Sequence, residues 1–291
     1  MIKTDYTLKN HIEEASKQIK QGRHTLLVTQ DNQVLYEISA KSIQSAQLAH
    51  CGINFLLSGS RETVLNIVFS SIESFILNGL RITKKSTEKL IKSFSLFTPE
   101  VILSASGMRI RLHEPSGYSV EKSIECALLA LDNLSRKLGK KVCVTLEEFH
   151  ILFELKELEN MASHIENILK KSNHIKYILF GSDKDKVIKA YDSMKSASLH
   201  KLTFKRLTKT ELTNKVNKRL KSSKAKRIKE TLIHLIFKMA HGHLFYTDEL
   251  LNYALENKNI SGKKIKEFWH ELALSKQHEI NKQLLSLSNN Q

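Results

Sequence analysis

"KKVCVTLEEFH", residues 140–150, is the stretch whose reading decides the fold. Val142, Cys143, Val144, Thr145 and Leu146 form a short run rich in β-branched residues, and it stops at two carboxylates, Glu147 and Glu148. An unbroken run of this length reads as a strand buried on both faces, the situation of a parallel sheet covered by helices. The acid pair at its end has two readings: a catalytic pair, or a polar cap turned to solvent.

Working outward, "INFLLSG" (53–59) and "IKYILFGS" (175–182) share this character, and "LHKLTF" (199–204) reads as a last strand. Helical periods separate them. Residues 63–78 place Val64, Ile67, Val68, Ile72, Phe75 and Ile76 on one side, with Gly79 as the C-cap. Residues 86–97, 119–138, 155–171 and 184–193 read as further helices, and "VILSASGMRIRLHE" (101–114) as two short strands about Ser106-Gly107. Upstream, Leu8, Ile12, Ala15 and Ile19 mark a helix over 7–21. "TLLVTQDNQVLYEIS" (25–39) reads as a β-hairpin turning at Gln30–Gln33, and a short helix follows over 41–50. From Lys209 onward the period is helical throughout: 209–220, 225–240, 245–256 and 261–285. Strands alternating with helices predict an α/β fold with a mainly parallel sheet and helices on both faces, followed by an all-helical region. The expected organisation is an N-terminal helix-and-hairpin extension (1–50), an α/β core (51–207) and a helical region (208–291).

The chain has 291 residues, two prolines and ten glycines, so it is built from long elements and is large enough for a real core. No run approaches the roughly 18 apolar residues of a membrane span. The N-terminal MIKTDYTLKNHIEE has no apolar signal core. Cys51, Cys126 and Cys143 lack C-x-x-C spacing and suit a reducing compartment. A cytoplasmic protein is the expectation. The net charge is +16, and residues 170–229 hold nineteen Lys/Arg against four acids. Such a concentration points to an anionic partner such as nucleic acid, or else to a solvated surface. Its densest part is Lys215, Lys218, Arg219, Lys221, Lys224, Lys226, Arg227 and Lys229.

The order of these features carries a resemblance. A strand running into Gly59 and a helix, a strand ending in "LEEFH" (146–150), and a strand ending in "ILFGS" (178–182) follow one another. This resembles the P-loop ATPases of the AAA+/STAND group, especially the prokaryotic and archaeal-type ATPase domain, whose second motif strand ends in Asp-Glu-Phe-Gln. "HGHLFYTDELL" (241–251) resembles the family's lid-helix motif Gly-His-Pro-Tyr-Tyr, with Leu244 in place of proline. The resemblance covers roughly residues 50–291. It implies a P-loop NTPase-like core with a helical lid, a metal-holding role for Glu147, a water-activating role for Glu148 and a sensor role for Ser182.

The phosphate-binding motif itself departs from the family. G-x-x-x-x-G-K-[ST] wraps phosphates with backbone N–H groups, adds a lysine charge and ligates Mg²⁺ through a hydroxyl. Counted from Gly59, the last three slots hold Val64, Leu65 and Asn66. Gly59, Ser60, Arg61, Leu65 and Asn66 are the candidate nucleotide-contacting residues, and the alternative for them is a plain strand–turn–helix. No cofactor is expected; ATP and Mg²⁺ are expected if the site is retained. Two functions stay open: a catalytically inactive ATPase-like binding or scaffold module, possibly on nucleic acid, and a weakly active ATPase with an atypical loop. His241 and His243 suit a lid turn better than a metal site, and Trp269 suits core or partner packing.

Overall fold

The computed structural model describes residues 8–29, 32–83, 86–104, 107–194, 199–205, 208–222, 228–257 and 260–288. The chain divides into two compact units, His11–Phe204 and Lys205–Gln291 with Met1–Asn10. The first unit is α/β. Its elements are α1 (Leu8–Lys20), β1 (His24–Thr29), α2 (Asn32–Ala46), β2 (Ala49–Asn54), α3 (Arg61–Asn78), α4 (Thr87–Ser93), β3 (Glu100–Ser104), β4 (Gly107–Arg111), α5 (Val120–Leu138), β5 (Val142–Glu147), α6 (Met161–Lys171), β6 (Ile175–Phe180), α7 (Lys184–Ser193) and β7 (Leu199–Phe204).

Five strands form one parallel sheet in the order β2-β5-β6-β1-β7, while β3 and β4 pair as a separate antiparallel hairpin. Register assigns the faces. Leu26 stands opposite Leu179, and Ile53 opposite Leu146, so these side chains share one face. That face meets α3, α5, α6 and α7 in a continuous core containing Val68, Ile72, Leu128, Leu131, Ile165 and Val187. The other face meets α2 through the buried Leu35 and Ile38. Right-handed crossovers require this division, because the connection from β1 runs one way along the sheet and all later ones run back.

The structure corrects the expected N-terminal extension. Residues 25–39 do not form a hairpin: β1 ends at Thr29, and α2 begins at Asn32. Of the expected turn, Gln30 and Asp31 lie outside the described residues. The physical reason is visible in α2, where Val34, Leu35, Ile38 and Ile43 are buried at helical spacing. The expected helix over 41–50 is the end of α2 and the start of β2. Far from being an extension, β1 is an interior strand with all six residues buried. β2 also shifts, from the expected 53–58 to Ala49–Asn54. As an edge strand it alternates, with Cys51 and Ile53 buried and His50, Gly52 and Asn54 exposed. The leucines read as strand, Leu56 and Leu57, sit in a turn and are 60% and 66% exposed.

Local chemistry sets several ends. Ser60 caps α3 in a reciprocal box with Thr63, and Gly139 closes α5 in the left-handed conformation with φ 65°. Gly79 follows α3 at φ −86°; its own reason is space, since a Cβ there would lie 2.3 Å from the Phe75 ring.

The helical unit consists of α8 (Lys209–Ser222), α9 (Glu230–Ala240), α10 (Leu244–Glu256) and α11 (Gly262–Ser288). Its core gathers Leu212, Val216, Ile236, Leu250, Leu251 and Ile265. Phe268 stacks on Tyr253 at 4.1 Å, and Trp269 meets Tyr246 edge-on at 5.1 Å. Lys215 is buried and ion-paired with Asp248. Among the described residues no helix is long and apolar enough to cross a membrane.

Two stability predictions follow from buried charge. His24 opens β1, its Nδ1 accepting the Tyr177 N–H at 3.2 Å. Burial, helped by the Lys176 charge, lowers its pKa to about 4. The unfolded chain therefore takes up this proton first as pH falls. Stability from this group is full above the ordinary value near 6.5, declines toward pH 4 and is flat below. Urea unfolding should show a loss of about 3 kcal/mol across that window, absent in His24→Gln. For Lys215, replacement by Met leaves Asp248 without its ammonium partner and should cost roughly 3 kcal/mol. The double change Lys215→Met with Asp248→Leu should recover most of it in thermal unfolding.

Candidate functional site

The sheet has one point where neighbouring strands send their connections in opposite directions. From β1 the chain leaves toward β2, while from β6 it crosses β1 to reach β7. In open α/β sheets the crevice beyond the carboxyl ends at such a switch point is the usual ligand site. Among the described residues that rim is made by the start of α2, by Gly181-Ser182 after β6 and by Glu148 after β5.

Glu147 and Glu148 are adjacent in sequence but diverge in space. Glu148 adopts the left-handed conformation, φ 54° and ψ 32°, which costs a non-glycine residue on the order of 1 kcal/mol. That twist turns its carboxylate toward β6. There Oε2 accepts the Ser182 N–H at 2.9 Å and the Ser182 hydroxyl at 2.8 Å. Oε1 accepts the Tyr36 hydroxyl at 3.4 Å. The Glu148 side chain is only 3% exposed, so these donors take the place of water around the carboxylate. Glu147 faces β2 instead. It accepts the Thr145 hydroxyl at 3.0 Å and the Asn54 amide at 3.1 Å, and His50 Nε2 stands 2.9 Å from Thr145 Oγ1. Burial raises the Glu147 pKa, opposed by the bonds from Thr145 and Asn54.

Tyr36 comes from the second turn of α2. Its ring meets Phe180 edge-on at 5.1 Å. Burial, then the Glu148 and Glu147 charges, push its phenol far above the ordinary range, so it remains a neutral donor. A third group closes the cluster from below. The His150 ring is buried, with Nδ1 3.8 Å from Glu148 Oε2 and no hydrogen-bond partner. Gly181 makes room for it: a Cβ at that position would lie 2.4 Å from His150 Nδ1.

The structure thus brings Glu148 and Ser182 together, with Glu147 beside them on a separate network. It does not bring Gly59, Ser60, Arg61, Leu65 and Asn66 to this rim. They follow β2, at the sheet's edge, with β5 standing between β2 and β6. Ser60 is spent on capping α3, the Arg61 N–H reaches Glu157 at 3.3 Å, and Leu65 is in the core. Asn66 lies within α3. The strand at the switch point is β1, and the eight positions after it are Gln30 to Glu37, with no glycine. The last three slots of the phosphate motif, counted from Gln30, fall on Leu35, Tyr36 and Glu37. Since α2 starts at Asn32, most of that stretch is already helix.

Sequence reasoning missed Tyr36 and His150. The helical spacing of Val34, Leu35, Ile38 and Ile43 was the available signal for α2, and with it for Tyr36. Nothing in the sequence marks the His150 contact with Gly181.

Of the basic candidates, Lys215 is corrected: its buried pairing with Asp248 removes it from any binding face. Lys218, Arg219 and Lys221 lie on α8. Lys229 is exposed at the start of α9, and Lys224, Lys226 and Arg227 lie outside the described residues. His241 and Gly242, at φ 48° and 71°, form the turn between α9 and α10. Among the described residues no group of three or more His, Cys, Asp or Glu is placed to hold a metal.

No protein-family model and no curated protein matches the sequence. Solved structures do match. A Walker-type ATPase of Pyrococcus abyssi superposes with a TM-score of 0.53 at 13% identity, over 96% of this chain and 76% of that one. The ORC2 protein of Aeropyrum pernix gives 0.47 at 11% identity, over 91% of this chain and 66% of that one. Cdc6p of Pyrobaculum aerophilum gives 0.39 at 12%, over 82% and 56%. Sheet order, switch point and the first of these likenesses agree on the fold: the chain shares the fold of that Walker-type ATPase, a parallel α/β core with a helical region after it in sequence.

Proposed function

We propose that this protein is an ATPase-fold module that works by binding and does not turn over nucleotide. The single observation that carries this reading is Tyr36 hydrogen-bonded to Glu148 at the switch point. A phosphate loop needs free backbone N–H groups, a cation and a metal-binding hydroxyl. In the corresponding stretch the N–H groups past the first turn of α2 are committed to helix. A neutral phenol stands in the lysine slot, and the hydroxyl slot holds Glu37, an acid already paired with Lys41, in place of a metal-binding hydroxyl. The same phenol and Ser182 satisfy the acid that would otherwise activate water. Glu148 is then a structural tie, and ATP and Mg²⁺ have no complete site.

Titration calorimetry with Mg-ATP and with ADP, alongside a phosphate-release assay, tests this directly. The expected outcome is weak or no binding and no turnover above buffer. Robust turnover that disappears in Glu148→Gln would favour the second reading, a weakly active ATPase with an atypical loop.

What the module binds is read from charge. The excess in residues 170–229 supports contact with nucleic acid or a similar polyanion; Lys201, Lys205, Lys209 and Lys229 of this segment are exposed. Like charges three and four residues apart, as at Lys215, Lys218 and Arg219, cost an isolated helix a few tenths of a kcal/mol per pair. Pairing with Asp248 already relieves Lys215, so the polyanion reading rests on the rest. Binding to duplex DNA should weaken with salt at a log–log slope near −0.9 per phosphate neutralised. Changing Lys218, Arg219, Lys226 and Arg227 to Ala should flatten that slope. An absence of binding to DNA and RNA at roughly 50 mM salt, where such contacts are strongest, refutes this part.

A further inference from the structure

Beneath Glu148 lies a feature that neither the nucleotide rim nor the polyanion reading uses. The chain after β5, from the 3-10 segment Phe149–Phe153 to the start of α6, forms one wall of a cleft, and α7 forms the other. Its volume is about 780 Å³, within the range of ligand-binding clefts. The floor is apolar, with Phe153, Leu158, Ala162 and Ala190. Three lysines line it: Lys156 from one wall, Lys186 and Lys189 from the other. Of the acids there, Glu154 is held by Lys186 at 3.0 Å, which leaves Glu159 against Lys156 and Lys189.

We propose that this cleft is a docking groove for an acidic, amphipathic peptide segment of a protein partner. The floor accepts one or two apolar side chains, which a purely ionic ligand would not fill. Lysines on opposite walls, carried on flexible stems, reach carboxylates flanking those anchors. A nucleic-acid backbone fits less well. It would gain nothing from the apolar floor and would meet Glu154 and Glu159. The +16 charge of the chain steers an acidic partner toward this face as toward any other, so selectivity lies in the floor. The inference is independent of whether nucleotide binds at the Tyr36 rim.

The test is selection from a random peptide phage library on the full chain, followed by fluorescence anisotropy with the selected peptide in low and high salt. Enrichment of peptides that combine acidic with apolar residues is expected. The double variant Lys156→Glu with Lys189→Glu should weaken binding roughly tenfold or more, equivalent to about 1.4 kcal/mol. Both lysines are exposed, so its circular dichroism melt should match wild type. Ala162→Trp, which fills the floor, should weaken binding to a similar degree. No enrichment overturns the proposal, as does binding that both variants leave unchanged. Displacement of the peptide by oligo-thymidylate that itself loses affinity in the lysine variant would assign the groove to nucleic acid instead, and also overturns it.

Discussion

A strand in the interior of a parallel sheet must have apolar cover on both faces, and β1 is where this chain meets that requirement most completely. All six of its residues are buried, between β6 on one side and β7 on the other. One face needs the helices α3, α5, α6 and α7; the other needs α2. Cover on that second face is local. It protects β1 and β6 but not β2, whose outward residues are the polar His50 and Asn54 and the small Gly52. The polar shelf holding Glu147 therefore exists because α2 follows β1 and lies over it.

From the same arrangement comes the separation of the two acids. In an extended strand Glu147 and Glu148 would point to opposite faces. Glu148 leaves that path with a positive φ, and the chain begins a 3-10 turn at the next residue. Strain of this kind persists only where the surroundings over-determine it. Two donors from Ser182 and one from Tyr36 do so, and they tie β5, β6 and α2 at one point. Gly181 is part of the same construction, because only a residue without a side chain lets the His150 ring lie against the end of β6.

Much of this was legible in the sequence, and the exceptions have physical causes. Apolar runs announced β5 and β6, the alternating Leu199-His-Lys-Leu-Thr-Phe204 announced β7, and helical spacing announced α3, α5 and the helices after residue 208. The region before residue 50 reads as strand because Val34 and Tyr36 favour strands, a preference that tertiary contact with β1 overrides. That reading moved an interior strand of the sheet, β1, out of the core and put the strand before Gly59 in its role. "INFLLSG" added to the effect: its apolar length looks like a buried strand, yet two of its leucines are the tip of a turn. Ser182 and Glu148 could be placed together because their strands could be. Tyr36 could not, since its contact depends on a helix that the local sequence disguises.

The position of β1 has a consequence in time. His24 and Tyr177, joined by a hydrogen bond, are 153 residues apart. β7, the other neighbour, comes later still. As the chain emerges from a ribosome, its first strand has no edge to join until β6 has been made. Local helices and the β3–β4 hairpin can form early, but the sheet cannot close in the order of synthesis. Parallel pairing over such separations is slow, because a long loop must be closed before any contact rewards it. Leu26, Leu27 and Val28 thus lack their strand neighbours until β6 has been made, and the waiting chain is open to misassembly there.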